Sequence, residues 1–416
     1  MPSALSVLTR NRDFRWLFAA QLVIFGGDWF VMIPLLGLLG KLTGGGLVGS
    51  LALAADTGIS ALLLPYAGTV ADRVDRRKIL VAANLCAVAA VGLLFLVHDG
   101  HTAWLGPVGI GAIAVAKAFS GPASSAALPN LVEPEELTAA TAVSGAAWGT
   151  MTVIGASLGG VLAAAVSPYT CFVIAALGLC LAAALVYGVR RPMQTPRAHD
   201  APPPRALAAI GEAVAYLRVH RRVRALVTVK SAVGVGNGVL VVYSALAVLL
   251  NAGSLGTGLL FAARGLGALI GPLLLRRLVV NRPGWLFGVL AVSMSIYGFG
   301  YLVIATVPWL PLVLILVVVA HAAGGGNWAM SSAALQAAVP DALRGRVLSA
   351  DLMIVTVVVS TSQVVTGLFV DHTAPRVLVA ACGAATLVYA LGWRLLTRRI
   401  ATGVPELEAL SQAGRP

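Results

Sequence analysis

Several side chains able to carry charge or bind a proton stand inside long apolar runs of this 416-residue chain. Asp28 and Lys117 are the clearest, with Lys230, Asn237, His321 and Asn327 in the second half, and Asp56 and Arg264 besides. A charged side chain at the centre of a membrane-spanning helix costs about 2.5–3.5 kcal/mol on insertion scales, so it needs a partner or a task. The available chemistry is proton binding and release, ion pairing, or contact with a polar solute. Unlike arginine, a desolvated lysine can change its protonation state. Asp28 lies about 20 Å in from the N-terminal end of its run and Lys117 about 13 Å in from the same side, at 1.5 Å per residue. A lysine could bridge much of that offset, pairing with Asp28 in one state and releasing it to take a proton in another. Lys230 lies only about 9 Å from its boundary, so it is expected to snorkel. His321 reads equally as a hydrogen-bonded core residue. Asp56 and Arg264 receive no role.

These residues can be positioned only by the runs that carry them. Apolar residues make up 59% of the chain and charged residues 11%, with a mean hydropathy of +0.91. A soluble domain carries about 25% charged residues, so this surface faces lipid. Runs of about 20 residues, enough to span a bilayer as helix, recur near 15–40, 47–71, 78–98, 103–128, 138–166, 168–189, 223–250, 255–280, 284–306, 308–336, 347–370 and 375–397. The fold class is therefore an all-α membrane protein of twelve helices. The fifth and sixth meet at Ser167-Pro168 and the ninth and tenth at Val307-Pro308, where the divisions are hardest to place.

The net charge of +13 follows from topology. With a cytoplasmic N-terminus, 24 of the 29 Lys and Arg residues fall on the cytoplasmic side. That is the positive-inside bias, and it predicts a multi-pass inner-membrane protein with both termini cytoplasmic. It argues against nucleic acid as a partner. The four cysteines (Cys86, Cys171, Cys180, Cys382) lie in apolar helices without metal-ligand spacing, so no metal is expected. The N-terminal run is too long for a cleaved signal and carries Asp28. No phosphate-binding loop or nucleophile elbow occurs, which predicts no cofactor and no enzyme activity.

The one long polar interval contains RRPMQTPRAHDAPPPR (Arg190–Arg205). It divides the chain into a six-helix bundle over 1–189, a cytoplasmic linker over 190–222, and a second bundle with its tail over 223–416. Within the linker, Leu207, Ile210, Val214 and Leu217 repeat at helical spacing before Arg218, Arg221, Arg222 and Arg224. This fits a basic amphipathic helix on the bilayer surface, or equally a solvated connector. SSAAL occurs at Ser124–Leu128 and again at Ser331–Leu335, each at the end of the fourth helix of its half. The chain thus reads as an internal duplication with parallel repeats.

Between the second and third helices stands GTVADRVDRRKIL (Gly68–Leu80). Positive-inside charge explains Arg76–Lys78 but not the two aspartates. The pattern G-x-x-x-D-R-x-x-R-R resembles the signature loop of the major facilitator superfamily. With Asp75 where Gly is more usual, it looks like the drug:proton antiporter branch of macrolide and enterobactin exporters. GDW (Gly27–Trp29), LPNLVEPEEL (Leu128–Leu137) and VPDALRGRVLS (Val339–Ser349) extend the resemblance over nearly the whole chain.

The resemblance implies two pseudo-symmetric bundles around a cavity lined by helices 1, 4, 7 and 10. Asp28, Lys117, Asn237, His321 and Asn327 would line it, with Asp28 and Lys117 coupling protons to transport. Gly68, Asp72, Arg73, Arg76 and Arg77 would form a conformational latch. Asp72 would face the start of helix 11, and Arg76 would meet an acid such as Glu133 or Glu136, with Asp351 a further partner. Helix 5, GAAWGTMTVIGASLGG, resembles the antiporter motif of exporters, though Ala156 stands where that motif has proline. Its Gly145, Gly149, Gly155, Gly159 and Gly160 would pack on Gly267 and Gly271 of helix 8, since glycine lets helix backbones approach closely. The function implied is proton-coupled efflux of amphipathic small molecules by a monomer in a lipid bilayer. An uptake permease or lipid flippase of the same fold, or a non-transporting sensor or scaffold, are the alternatives.

Overall fold

In hydrocarbon every backbone amide must find its partner within the protein, so long apolar runs become helices. The computed structural model describes residues 4–194, 206–280, 283–398 and 400. Its helices are α1 (Ala4–Arg10), α2 (Arg12–Thr43), α3 (Leu47–Arg73), α4 (Arg76–Leu94), α5 (Leu105–Ala127), α6 (Leu137–Ala165), α7 (Pro168–Tyr187), α8 (Ala206–Val219), α9 (Arg221–Thr228), α10 (Ser231–Gly236), α11 (Val239–Leu249), α12 (Gly253–Val280), α13 (Leu286–Ile304), α14 (Leu310–Ala338), α15 (Asp341–Phe369) and α16 (Pro375–Thr397). Short 3₁₀ turns stand at Leu128–Asn130, Pro134–Glu136 and Pro283–Trp285. Among the described residues, twelve spans are long and apolar enough to cross a membrane. Six are α2–α7, the seventh is the series α9–α11, and five are α12–α16.

Local chemistry sets the boundaries. Ser167 caps α7 by accepting a hydrogen bond from the Thr170 N–H, and Pro168 occupies the first turn, where its missing N–H costs nothing. Gly44 caps the C-terminus of α2, left-handed at φ 69°. Asp75 caps α4, its carboxylate accepting from the Arg77 N–H at 2.9 Å.

The chain divides into two compact units. One comprises Met1–Ala206 with Gly253–Ala262, the other Leu207–Ala252 with Ala263–Pro416. In the first, Phe14, Leu17, Leu80, Ala123 and Leu131 anchor a buried cluster near the α3–α4 turn. In the second, Leu226, Phe287, Leu290, Leu335 and Trp393 do the same. The helix α8 is tied into the second unit by an ion pair from Glu212 to Arg346 of α15. Leu217 of α8 is buried and Val214 more exposed, while the side chains of Leu207 and Ile210 lie outside the described residues.

The seventh span is broken twice, at Val229–Lys230 and at Asn237–Gly238. The backbone tightens there, with Ala232 N bonding Val229 O and Asn237 N bonding Gly234 O. Groups missing from the α-helical ladder are met by side chains instead. Ser362 of α15 donates to Val235 O at 2.5 Å and accepts from Gly238 N at 2.9 Å. The Tyr389 hydroxyl of α16 donates to Thr228 O at 2.9 Å, while Trp393 Nε1 adds a second bond, at 3.0 Å, to Ala225 O, which already accepts from Val229 N. Gly238 is needed at the second break because a Cβ there would collide with Thr366 Oγ1.

Candidate functional site

Lys117 of α5 stands between two carboxylates. Its Nζ lies 2.9 Å from Asp28 Oδ2 of α2 and 3.3 Å from Asp56 Oδ1 of α3. Each side chain keeps about a quarter of its surface exposed. Glycines set this geometry. On α5, a Cβ at Gly111 would lie 2.9 Å from Ile59 Cδ1 of α3, so these helices run close together and bring Asp56 to Lys117. On α6, Cβ atoms at Gly155 and Gly159 would each lie 3.0 Å from a backbone oxygen of α2, Gly26 O and Trp29 O respectively. The backbone either side of Asp28 is thus seated on α6, and Trp29 Nε1 donates to Thr152 Oγ1 at 3.2 Å. With all three groups ionised, two carboxylates face one ammonium and the cluster carries one unbalanced negative charge.

Lys117 also lines a cavity of about 530 Å³ formed chiefly by α2, α5 and α6. Apolar side chains, among them Ile24, Phe25, Leu128 and Leu137, make most of its wall. Gln21 Oε1 and Ser144 Oγ are buried there with no hydrogen-bond partner among the described residues. Gln21 Nε2 is engaged, donating to Ser124 Oγ of the first SSAAL copy at 2.6 Å. This cavity is a largely apolar chamber with one cation and a few hydrogen-bonding atoms, the usual character of a small-molecule site.

The structure thus brings Asp28 and Lys117 together and adds Asp56, which sequence reasoning had left without a role. The other cavity candidates are engaged in the second unit. His321 Nε2 lies 2.7 Å from the Tyr301 hydroxyl, which is 2.7 Å from that of Tyr243. The Tyr297 and Tyr301 rings meet the imidazole edge to face. Buried Asn327 donates to Leu290 O and Ser293 Oγ at 3.1 and 2.9 Å, and Asn237 Nδ2 donates to Val233 O at 3.4 Å. All three are buried. Lys230 does not snorkel: it is 1% exposed and ion-paired with Asp351 of α15. Pairing offsets the desolvation that snorkelling would have avoided, and it commits Asp351, which was expected to serve the latch.

The loop residues also find other partners. Arg76 donates to the carbonyls of Ala126, Met193 and Ala71 at 2.7, 2.9 and 3.2 Å. Arg77 reaches Arg190 O and Arg191 O at 3.4 and 3.3 Å. Glu133 instead pairs with Arg191 at 3.6 Å, and Glu136 accepts from Asn11 Nδ2 at 2.6 Å. A planar guanidinium can span carbonyls at the α5 terminus and beyond α7 at once, so Arg76 ties segments together through backbone acceptors. Arg73 is exposed, a Cβ on Gly68 would meet nothing within 4 Å, and the side chain of Asp72 lies outside the described residues.

The glycine seam departs from expectation too. Gly267 and Gly271 press on α14, at Val318 O and Ala322 O. The close approach of α6 to α12 falls earlier: a Cβ on Gly160 would lie 3.0 Å from Gly258 Cα, and one on Gly258 2.7 Å from Ala156 O. Gly149 is buried within α6. Gly145 has open space over its Cβ position and lines the cavity, so it widens the chamber.

Two solved structures illustrate the fold. An auto-inhibited POT family peptide transporter matches with a TM-score of 0.73 and 14% identity, over 97% of this chain and 99% of that one. A bacterial homolog of the human lysosomal transporter Spinster, inward-facing and occupied, matches with a TM-score of 0.73 and 15% identity, over 94% and 98%. No individual curated protein matches the sequence. The family model described as Major Facilitator Superfamily matches residues 17–292. This multi-pass membrane protein therefore belongs to the Major Facilitator Superfamily, whose members are secondary transporters and not enzymes.

Proposed function

We propose that the chain exchanges protons for amphipathic small molecules and moves them out of the cell, with Asp28, Asp56 and Lys117 as the coupling site. The observation that carries this reading is the charge count at Lys117, one ammonium against two carboxylates at 2.9 and 3.3 Å. The cluster becomes neutral by taking either one proton or one cationic group. Because either would satisfy it, a proton entering favours departure of a cationic substrate. That competition is the minimal device for antiport. The apolar walls suit the rest of an amphipathic molecule, and Gln21 and Ser144 offer it hydrogen bonds.

Export further rests on the loop at Gly68–Leu80, and on the α6–α12 seam at Gly160 and Gly258, which closes although Ala156 replaces the motif's proline. In this reading the N- and C-termini and the linker are cytoplasmic, and Asp72 takes part in a latch that opens each cycle. The test is transport by the purified protein in vesicles with an imposed pH gradient, across a panel of cationic, neutral and anionic amphiphiles. Cationic members should accumulate against their gradient in the proton-rich compartment. Accumulation that ignores the pH gradient, or is confined to anions, would refute proton exchange at this cluster.

A further inference from the structure

The second unit holds another cavity, of about 500 Å³, among α12, α13, α14 and α16. Among the described residues its only charged lining residue is Arg394, near the end of α16. The Nη1 atom of Arg394 is buried and has no hydrogen-bond partner among the described residues. Trp285 also lines the cavity, 53% exposed and immediately before α13. From there Gly288, Val292 and Ile296 follow one face of α13 along the wall. Cβ atoms on Gly284 and Gly288 would meet nothing within 4 Å, so this groove is open where it begins. Ser293 adds no free polar group, since its hydroxyl donates to Leu290 O and accepts from Asn327.

We infer that this groove binds one anionic phospholipid, with its phosphate on Arg394 and an acyl chain along Gly288–Ile296. A guanidinium that withholds a donor from water and from the protein is costly unless an acceptor meets it. Arginine's planar donor fork suits a phosphate. Trp285 and Arg394 both sit at helix ends, the depth at which tryptophan and basic side chains meet headgroups. The wall then runs about 12 Å into the bilayer from Gly288 to Ile296 at 1.5 Å per residue, offering apolar contact only. A free anion would gain nothing from that wall, whereas an acyl chain would. Basic pockets between membrane helices bind acidic headgroups on the same principle. The site lies in the second unit, whereas Lys117 belongs to the first, and it does not depend on the proton-exchange reading.

The experiment is native mass spectrometry of the detergent-purified protein with added phosphatidylglycerol or phosphatidylcholine. One phosphatidylglycerol per chain should be retained in preference to phosphatidylcholine. Arg394→Gln should weaken that retention at least about tenfold, the scale of one charge-assisted hydrogen bond. Arg398→Gln, an exposed charge that does not line the groove, should leave it unchanged. Gly288→Leu fills the groove without touching the charge and should also expel the lipid, which keeps the test decisive if Arg394→Gln does not fold. Equal retention of both lipids would overturn the proposal, as would equal losses from Arg394→Gln and Arg398→Gln. So would displacement of the lipid by millimolar inorganic phosphate, or a folded Gly288→Leu variant that still holds it.

Discussion

Replacing Asp28 with Asn removes one of the two carboxylates on Lys117 while keeping the shape of the side chain. Lys117 retains Asp56 at 3.3 Å. At an effective dielectric of about 20, a charge contact of 2.9 Å has a gross attraction of about 6 kcal/mol, much of it offset by desolvation. With one partner kept, the net loss of folding stability should be no more than about 1–2 kcal/mol. Coupling should suffer far more. The fully ionised cluster goes from one unbalanced negative charge to none, so it no longer has a carboxylate to spare for a proton. If one proton exchanges per substrate, a gradient of two pH units supplies about 2.7 kcal/mol, or about a hundredfold accumulation. Asp28→Asn should bring the substrate only to equal concentrations. Purified protein in vesicles, given a pH jump and a labelled cationic amphiphile, reports accumulation. The same vesicles at equal pH report exchange, which should persist with weaker affinity, since the neutral cluster no longer attracts the cation while the apolar cavity wall remains. Accumulation above about tenfold by the variant would refute the charge count, as would exchange of the cationic amphiphile at equal pH with undiminished affinity.

Asp56→Asn should give the same uncoupling, because it removes the same excess charge; normal gradient-driven transport would show that Asp28 alone carries the proton. Lys230→Ala should destabilise the protein by about 3–5 kcal/mol by leaving Asp351 buried and unpaired, and Lys230→Met with Asp351→Leu should recover much of that in thermal unfolding. Gly271→Ala drives a methyl into Ala322 O of α14, so it should lower the unfolding midpoint by an amount equivalent to about 1–3 kcal/mol, with no change expected from Gly392→Ala, whose Cβ would meet nothing. Cysteines introduced at Ala201 and Ser254 should label from the cytoplasm and from outside respectively; the reverse would overturn the orientation that the distribution of basic residues predicts.

The spans were legible because length and apolarity alone dictate them in a bilayer. The division at Ser167-Pro168 follows from residues that cap and start α7, whereas Val307 and Pro308 fall in the connection between α13 and α14 and neither start nor cap a helix. Asp28 and Lys117 were legible for the opposite reason, as charges too costly to stand in lipid unexplained. Asp56 carries the same signal but lies 61 residues from Lys117, and only the approach of α3 to α5 at Gly111 shows where it belongs. Lys230 was misread because its partner is 121 residues away; distance from the membrane boundary says how a lysine could escape, and nothing about whether it must. Gly267 and Gly271 announced close packing without naming the helix they pack on. The breaks in the seventh span left a trace in SAVGVGNG (Ser231–Gly238), whose crowded glycines could have marked a weak helix. Proline, the usual warning, is missing there.

That broken span has a consequence for how the protein is made. A continuous helix enters the bilayer with its backbone already satisfied, but the seventh span borrows from Ser362 and Tyr389, both encoded more than a hundred residues later. Until α15 and α16 emerge from the ribosome, the nascent seventh span must straighten, hold water or lean on other helpers at both breaks. Biogenesis of the second unit is therefore committed only when its last helix arrives. Stop codons upstream of Tyr389 should yield chains that insertion quality control clears, even with every earlier span intact.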